Sequence, residues 1–96
     1  MRAALDLRIE GSRPSEKCVA LEAKDGVAYR FESTIAVDFN IHTHRGREVV
    51  APVRHDQVRA HSGTFAADLP GEYCLTWENR SGVPAFVTGE WSVRRR

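Results

Sequence analysis

The sequence predicts an all-β chain, an antiparallel β-sandwich of jelly-roll type built from about seven or eight short strands. Three observations carry that expectation. Apolar and polar residues alternate with a period of two through most of the chain. No stretch places apolar residues at i, i+3, i+4 and i+7 over three turns, as an amphipathic helix requires. Turn-forming residues recur about every 8–12 positions, the spacing of a sandwich rather than of βαβ units.

The strands follow in order. Leu5, Leu7 and Ile9 alternate with Asp6, Arg8 and Glu10, and the stretch from Gly11 to Ser15, with Pro14, breaks that strand. Val19, Leu21 and Ala23 alternate with Cys18 and Glu22 up to a hairpin-like turn at Lys24-Asp25-Gly26. Val27, Tyr29 and Phe31 form the next strand. After Ser33-Thr34 comes another, with Ile35, Val37, Phe39 and Ile41 on one face and Asp38, Asn40, His42 and His44 on the other.

Arg45-Gly46-Arg47 turns the chain into Glu48–Val53, where Pro52 indicates an edge strand or a bulge, because proline cannot donate to a ladder. Arg54 to Ser62 reads as a polar loop and Thr64 to Ala67 as a short strand. Leu69-Pro70-Gly71 turns into Tyr73, Leu75 and Trp77. Arg80-Ser81-Gly82 turns into a last strand containing Val83, Ala85, Val87 and Trp91. The expected core is Tyr29, Phe31, Phe39, Ile41, Leu75 and Trp77. Trp77 is placed where its indole edge can reach a polar partner. Asn79, at a strand end, is placed to bond its own backbone and start a turn.

A chain of 96 residues reads as one domain, residues 1–96, with flexible ends at 1–3 and 94–96. Hydrophobic residues at 42% and charged residues at 28% describe a folded, soluble chain rather than a disordered one. Fourteen Lys and Arg against thirteen Asp and Glu, with signs interleaved, give no basic face for nucleic acid. Arg94-Arg95-Arg96 reads as a solvated tail. No apolar run spans a bilayer. Asp6 and Glu10 interrupt the N-terminal stretch where a secretory leader needs an apolar core. The location expected is the cytoplasm, or the periplasm or exterior if a leader was removed and the cysteines are bridged.

Cys18 and Cys74 are the minimum for one disulfide. Bridged, they close a loop of about 56 residues, worth ~4 kcal/mol in the chain-entropy account, and imply an oxidising compartment. Free, they are small buried hydrophobes.

With these residues placed, the chain resembles the GOLD (Golgi-dynamics) family of β-sandwich domains. The resemblance lies in YRFESTIAVDFNI, Tyr29 to Ile41, followed by GTFAADLPGEYCLTWEN, Gly63 to Asn79. Asp38, Phe39 and Ile41 match the first motif, and Gly71, Tyr73, Leu75, Trp77 and Asn79 the second. VDFNIHTH with YCLTWEN is further similar to small single-domain bacterial proteins of uncharacterised role. The resemblance implies an interaction module. It does not extend to vesicle cargo sorting, for which the membrane span and coiled coil of trafficking members are missing.

Chemistry is sparse. His42 and His44, at i and i+2 on a strand, emerge on one face about 7 Å apart, half of a Zn, Cu or Ni site. His55, His61, Glu48 or a reduced Cys74 are the candidates to complete it. Ser62 beside His61 and Asp56 beside His55 make no triad, and there is no nucleophile elbow, so no enzyme is expected. The reading is a non-enzymatic binding module with a protein partner and no bound cofactor. Its expected contact patch is Asp38, Asn40, His42, His44, Arg45 and Arg47. The alternative is a metal-binding protein using the histidines.

Overall fold

A computed structural model describes residues 2–96. Six antiparallel strands form one continuous sheet: β1 Arg2–Ile9, β2 Arg13–Leu21, β3 Gly26–Arg45, β4 Glu48–Ala66, β5 Gly71–Asn79 and β6 Ala85–Arg94. The count falls below the seven or eight expected because two pairs of expected strands are each one strand. The segments either side of Ser33-Thr34 run on as β3. The presumed loop Arg54–Ser62 is strand and joins both its neighbours in β4.

β3 organises everything else. Along one side it pairs with β4, joined by a tight turn at Gly46-Arg47, where Gly46 takes a φ of 62°. Its other side is shared. Gly26–Ser33 pairs with β6, and Asp38–Thr43 pairs with β5. The hand-over falls where the β3–β4 register jumps, between Glu32 and Val37. Each half then gains an outer strand, β1 on β6 and β2 on β5. The sheet curls around this corner, so Phe31 from the first half meets Trp77 from the second edge-on, with ring centroids 5.8 Å apart.

Tyr29, Phe31, Phe39, Ile41, Leu75 and Trp77, the expected core, are all buried within one cluster with Leu5, Ile9, Val87 and Trp91. Trp77 departs from expectation in one respect. Among the described residues its Nε1 has no hydrogen-bond partner, because it is enclosed by apolar rings. The two motif strands are direct neighbours, with Phe39 opposite Trp77 and Ile41 opposite Leu75.

Lys24-Asp25 does turn the chain, yet makes no hairpin: β2 pairs with β5, so the turn carries the chain from one half to the other. Pro52 sits on β4, which pairs only with β3, the edge position its missing N–H predicts. Asn79 bonds its own turn as expected, its Oδ1 accepting from the Ser81 N–H at 2.9 Å and hydroxyl at 2.7 Å. Its Nδ2 donates to the carbonyls of Ile9 at 3.0 Å and Val83 at 2.7 Å, tying the end of β1 to the β5–β6 loop. Asn79-Arg80-Ser81 matches a glycosylation acceptor, but this buried, fully bonded amide is closed to a glycan.

The C-terminal arginines are not a frayed tail. Arg95 donates to the Ala20 carbonyl at 2.8 Å and to Asp25 at 3.0 Å, and the Arg96 N–H donates to Asp25 at 2.9 Å. At the other end Met1 lies outside the described residues, while Arg2 and Ala3 pair with Ser92 and Trp91. No helix among the described residues is long and apolar enough to cross a membrane.

Candidate functional site

The outer face of the second half presents side chains in rows across the strands, because residues directly opposite in an antiparallel ladder project on the same side. His42, Cys74 and Cys18 form one row; Asn40, Thr76 and Glu16 the next; Asp38, Glu78 and Pro14 the third. β4 extends the middle row with Arg54. The middle and third rows, with His42, His44, Asp56 and Arg80, line an open concavity of about 500 Å³.

The rows are bonded to one another. The Asn40 amide oxygen lies 2.8 Å from His42 Nδ1, and the Thr76 hydroxyl donates to Glu16 at 2.9 Å. His42 Nε2 faces the same Glu16 carboxylate at 3.5 Å, an ion pair only when the ring is protonated. His44 is exposed beside it, the two rings edge-on with centroids 5.4 Å apart.

Asp38 anchors the third row. It is buried, and its Oδ1 accepts from both the backbone N–H and the side-chain amide of Gln57, each at 2.8 Å. Arg80 Nε closes an ion pair on the other oxygen. Burial alone would push the Asp38 carboxyl up; the Gln57 bonds and Arg80 outweigh it and hold it below its ordinary value. Gln57 has a φ of 53° and occupies a step in the β3–β4 register, so Asp38 pins the irregularity that bends β4 beside the concavity.

The structure brings some expected site residues together and separates others. Asp38, Asn40, His42 and His44 share this face. Arg45 does not: its guanidinium reaches Asp68 at 2.8 Å and the Tyr73 hydroxyl at 3.4 Å. Arg47 is exposed in the turn, and Glu48 faces Arg45. The four histidines form two pairs on opposite faces of β3. His55 is paired with Phe39 and His61 with Phe31, so both lie on the core-facing side, their rings tilted by 44° with centroids 3.8 Å apart. His61 packs against Tyr29 and Phe39, and desolvation first, then His55, lowers its pKa below 6.5.

Cys18 and Cys74 are bridged, facing each other across β2 and β5. Nothing in the sequence pattern marks Glu16, Thr76 and Arg80 as site residues. Only the register that sets Glu16 opposite Thr76, and Thr76 opposite Asn40, brings them in.

No protein-family model and no curated protein matches the chain. Solved structures do. The periplasmic inhibitor of g-type lysozyme PliG from Aeromonas hydrophila is 17% identical, over 97% of this chain and 86% of that one, with a TM-score of 0.70. The pre-peptidase C-terminal domain of a Bacillus anthracis collagenase is 14% identical over 98% and 88%, with a TM-score of 0.65. The Yersinia pseudotuberculosis-derived mitogen is 13% identical over 100% and 86%, with a TM-score of 0.62. At such identities the likeness is one of all-β fold.

Proposed function

We propose that this chain is a non-enzymatic binding module whose contact surface is the outer face of β2, β5, β3 and β4. The observation that carries the reading is the concavity, where polar side chains are held in position by one another. Rigid, bonded polar groups lose little entropy on binding, which favours recognition. Four carboxylates line it, Glu16, Asp38, Asp56 and Glu78, against two guanidiniums, Arg54 and Arg80. Its complement is a protein surface with excess positive charge.

PliG's role as a lysozyme inhibitor supports a protein partner by analogy of fold. The GOLD-like strand pair is consistent with an interaction module. The disulfide, with the periplasmic location of PliG, favours an oxidising compartment.

The test compares immobilised wild type with a Glu16→Lys/Glu78→Lys variant, offered cell extract and purified g-type lysozyme at low and high salt. The reading expects a retained protein that the folded variant loses and that high salt weakens. Retention indifferent to both changes contradicts it.

A further inference from the structure

The row His42, Cys74, Cys18 has a chemistry that the disulfide conceals. One ligand atom from each of Glu16, Cys18 and Cys74 lies within 4.8 Å of the others. His42 is not one of that group of three, but it is the residue opposite Cys74 on the neighbouring strand, and its Nε2 is 3.5 Å from the Glu16 Oε2, so a ring rotation is needed to bring it onto a shared ion. Donors on tetrahedral zinc stand apart by the edges of the tetrahedron, ~3.3 Å for nitrogen and oxygen and ~3.8 Å for two sulfurs, given the usual bond lengths. The Glu16–His42 spacing already matches the first edge. Cysteines directly opposite on paired strands reach the second by side-chain rotation, since facing Cβ atoms stand about 4.5–5.5 Å apart.

The geometry points to a reduction-gated zinc site formed by Cys18 Sγ, Cys74 Sγ, His42 Nε2 and a Glu16 carboxylate oxygen. A dithiol reductant passes two electrons and two protons to the bridge, giving two thiols while itself becoming a disulfide. Zinc binding then releases both thiol protons and takes the two thiolates, the neutral imidazole and the carboxylate. A disulfide oxidant reverses this by thiol–disulfide exchange: the two thiolates pass two electrons to it, it leaves as a dithiol with two protons from water, and the re-formed bridge releases the ion. Asn40, on Nδ1 of His42, leaves Nε2 free on the Glu16 side, the service an outer partner gives a metal-bound histidine. The Thr76 hydroxyl on Glu16 does the same for the carboxylate. This site stands independently of the protein-binding reading, since it needs no partner.

The experiment titrates zinc alone into metal-stripped protein, oxidised and phosphine-reduced, against a chromophoric competitor. The phosphine becomes its oxide, with water supplying the oxygen and the thiol protons. Cobalt(II) in parallel reports thiolate ligation and tetrahedral geometry by absorption, and circular dichroism reports folding.

The reduced protein is expected to bind one equivalent with a dissociation constant below about 1 µM, and the oxidised protein none at that affinity. Loss of even an outer-shell partner costs about tenfold or more, so His42→Ala and Glu16→Gln should each weaken binding at least that much, and His55→Ala should not. If reduction unfolds the chain, zinc must restore the strand spectrum. The proposal is overturned by zinc affinity that is the same oxidised and reduced, by affinity unmoved in both His42→Ala and Glu16→Gln, by a cobalt spectrum without tetrahedral thiolate bands, or by a reduced chain that zinc neither binds nor refolds.

Discussion

Replacing Asn79 with alanine removes a side chain that is 1% exposed and makes hydrogen bonds in both directions. The Ser81 N–H loses its acceptor, the Ser81 hydroxyl loses one of its two, and the Ile9 and Val83 carbonyls lose a donor. The consequences differ. Val83 is exposed and its carbonyl keeps the Ser81 hydroxyl at 2.9 Å, so water and serine compensate there. Ile9 is buried, and its carbonyl is left with one bond fewer in the interior. A net loss of about 1 kcal/mol per bond, and of about 1–3 kcal/mol for a buried group left unsatisfied, gives about 3 kcal/mol in all.

At roughly 4–8 °C per kcal/mol for a chain of this size, the melting temperature falls by about 12–24 °C. Thermal and urea unfolding with the disulfide intact measure it. Asn79→Asp sharpens the result. Aspartate keeps the acceptor for Ser81 but removes both donors and sets a negative charge beside two carbonyl oxygens, so at neutral pH it should be no more stable than alanine. A loss below about 1 kcal/mol for alanine, or an aspartate variant as stable as wild type, would reduce Asn79 to a local turn residue and refute the tie to β1.

Asp25 accepts from the Arg96 and Glu22 backbone N–H groups and from the Arg95 guanidinium, and its pKa is lowered from 3.8 to about 2. Its contribution is therefore complete above pH 3.8 and disappears as pH falls toward 2, so Asp25→Asn should flatten that limb of a stability–pH profile. His61, lowered by desolvation and then by His55, should titrate below 6.5 by NMR, its neutral form favouring the fold above that pH. His55→Gln should move the midpoint up but leave it short of 6.5, because desolvation persists. Gly89→Ala places a Cβ 2.0 Å from the Arg30 carbonyl oxygen at a φ of 152°, and should cost enough stability to be plain in thermal unfolding. Cys18→Ser/Cys74→Ser opens a bridge of sequence separation 56 and should lower the urea-derived stability by ~4 kcal/mol.

Burial by alternation was legible from residues alone. Phe39 and Ile41 on one face of β3, with Asn40 and His42 on the other, follow from the period-two pattern, as does the Asn79 turn from its residue type. The strand character of 54–62 was not legible. β4 is an edge strand, exposed on most of both faces, so no apolar periodicity marks it. Backbone bonds to β3 and the grip of Asp38 on Gln57 hold it instead.

The candidate site was half legible for the same reason. His42 and Asn40 share a strand, so periodicity sets them on one face. Glu16, Thr76 and Cys18 reach that face only through pairing of β2 with β5 and β5 with β3, a long-range choice that local pattern does not encode. Asp25 and Arg95, far apart in sequence, illustrate it again: a tail of three arginines reads as solvent-facing until its acceptor is known.

The most direct test of the binding surface sets three proteins side by side on the same extract: wild type, Glu16→Lys/Glu78→Lys, and Arg8→Glu. Arg8 stands over the exposed Phe86 ring at 5.5 Å, on β1 in the other half of the sheet. The expected result is a protein retained by wild type and by the Arg8 variant and lost by the double variant. Retention that survives reversal of Glu16 and Glu78 but fails with Arg8→Glu would put the contact on the opposite half and contradict it.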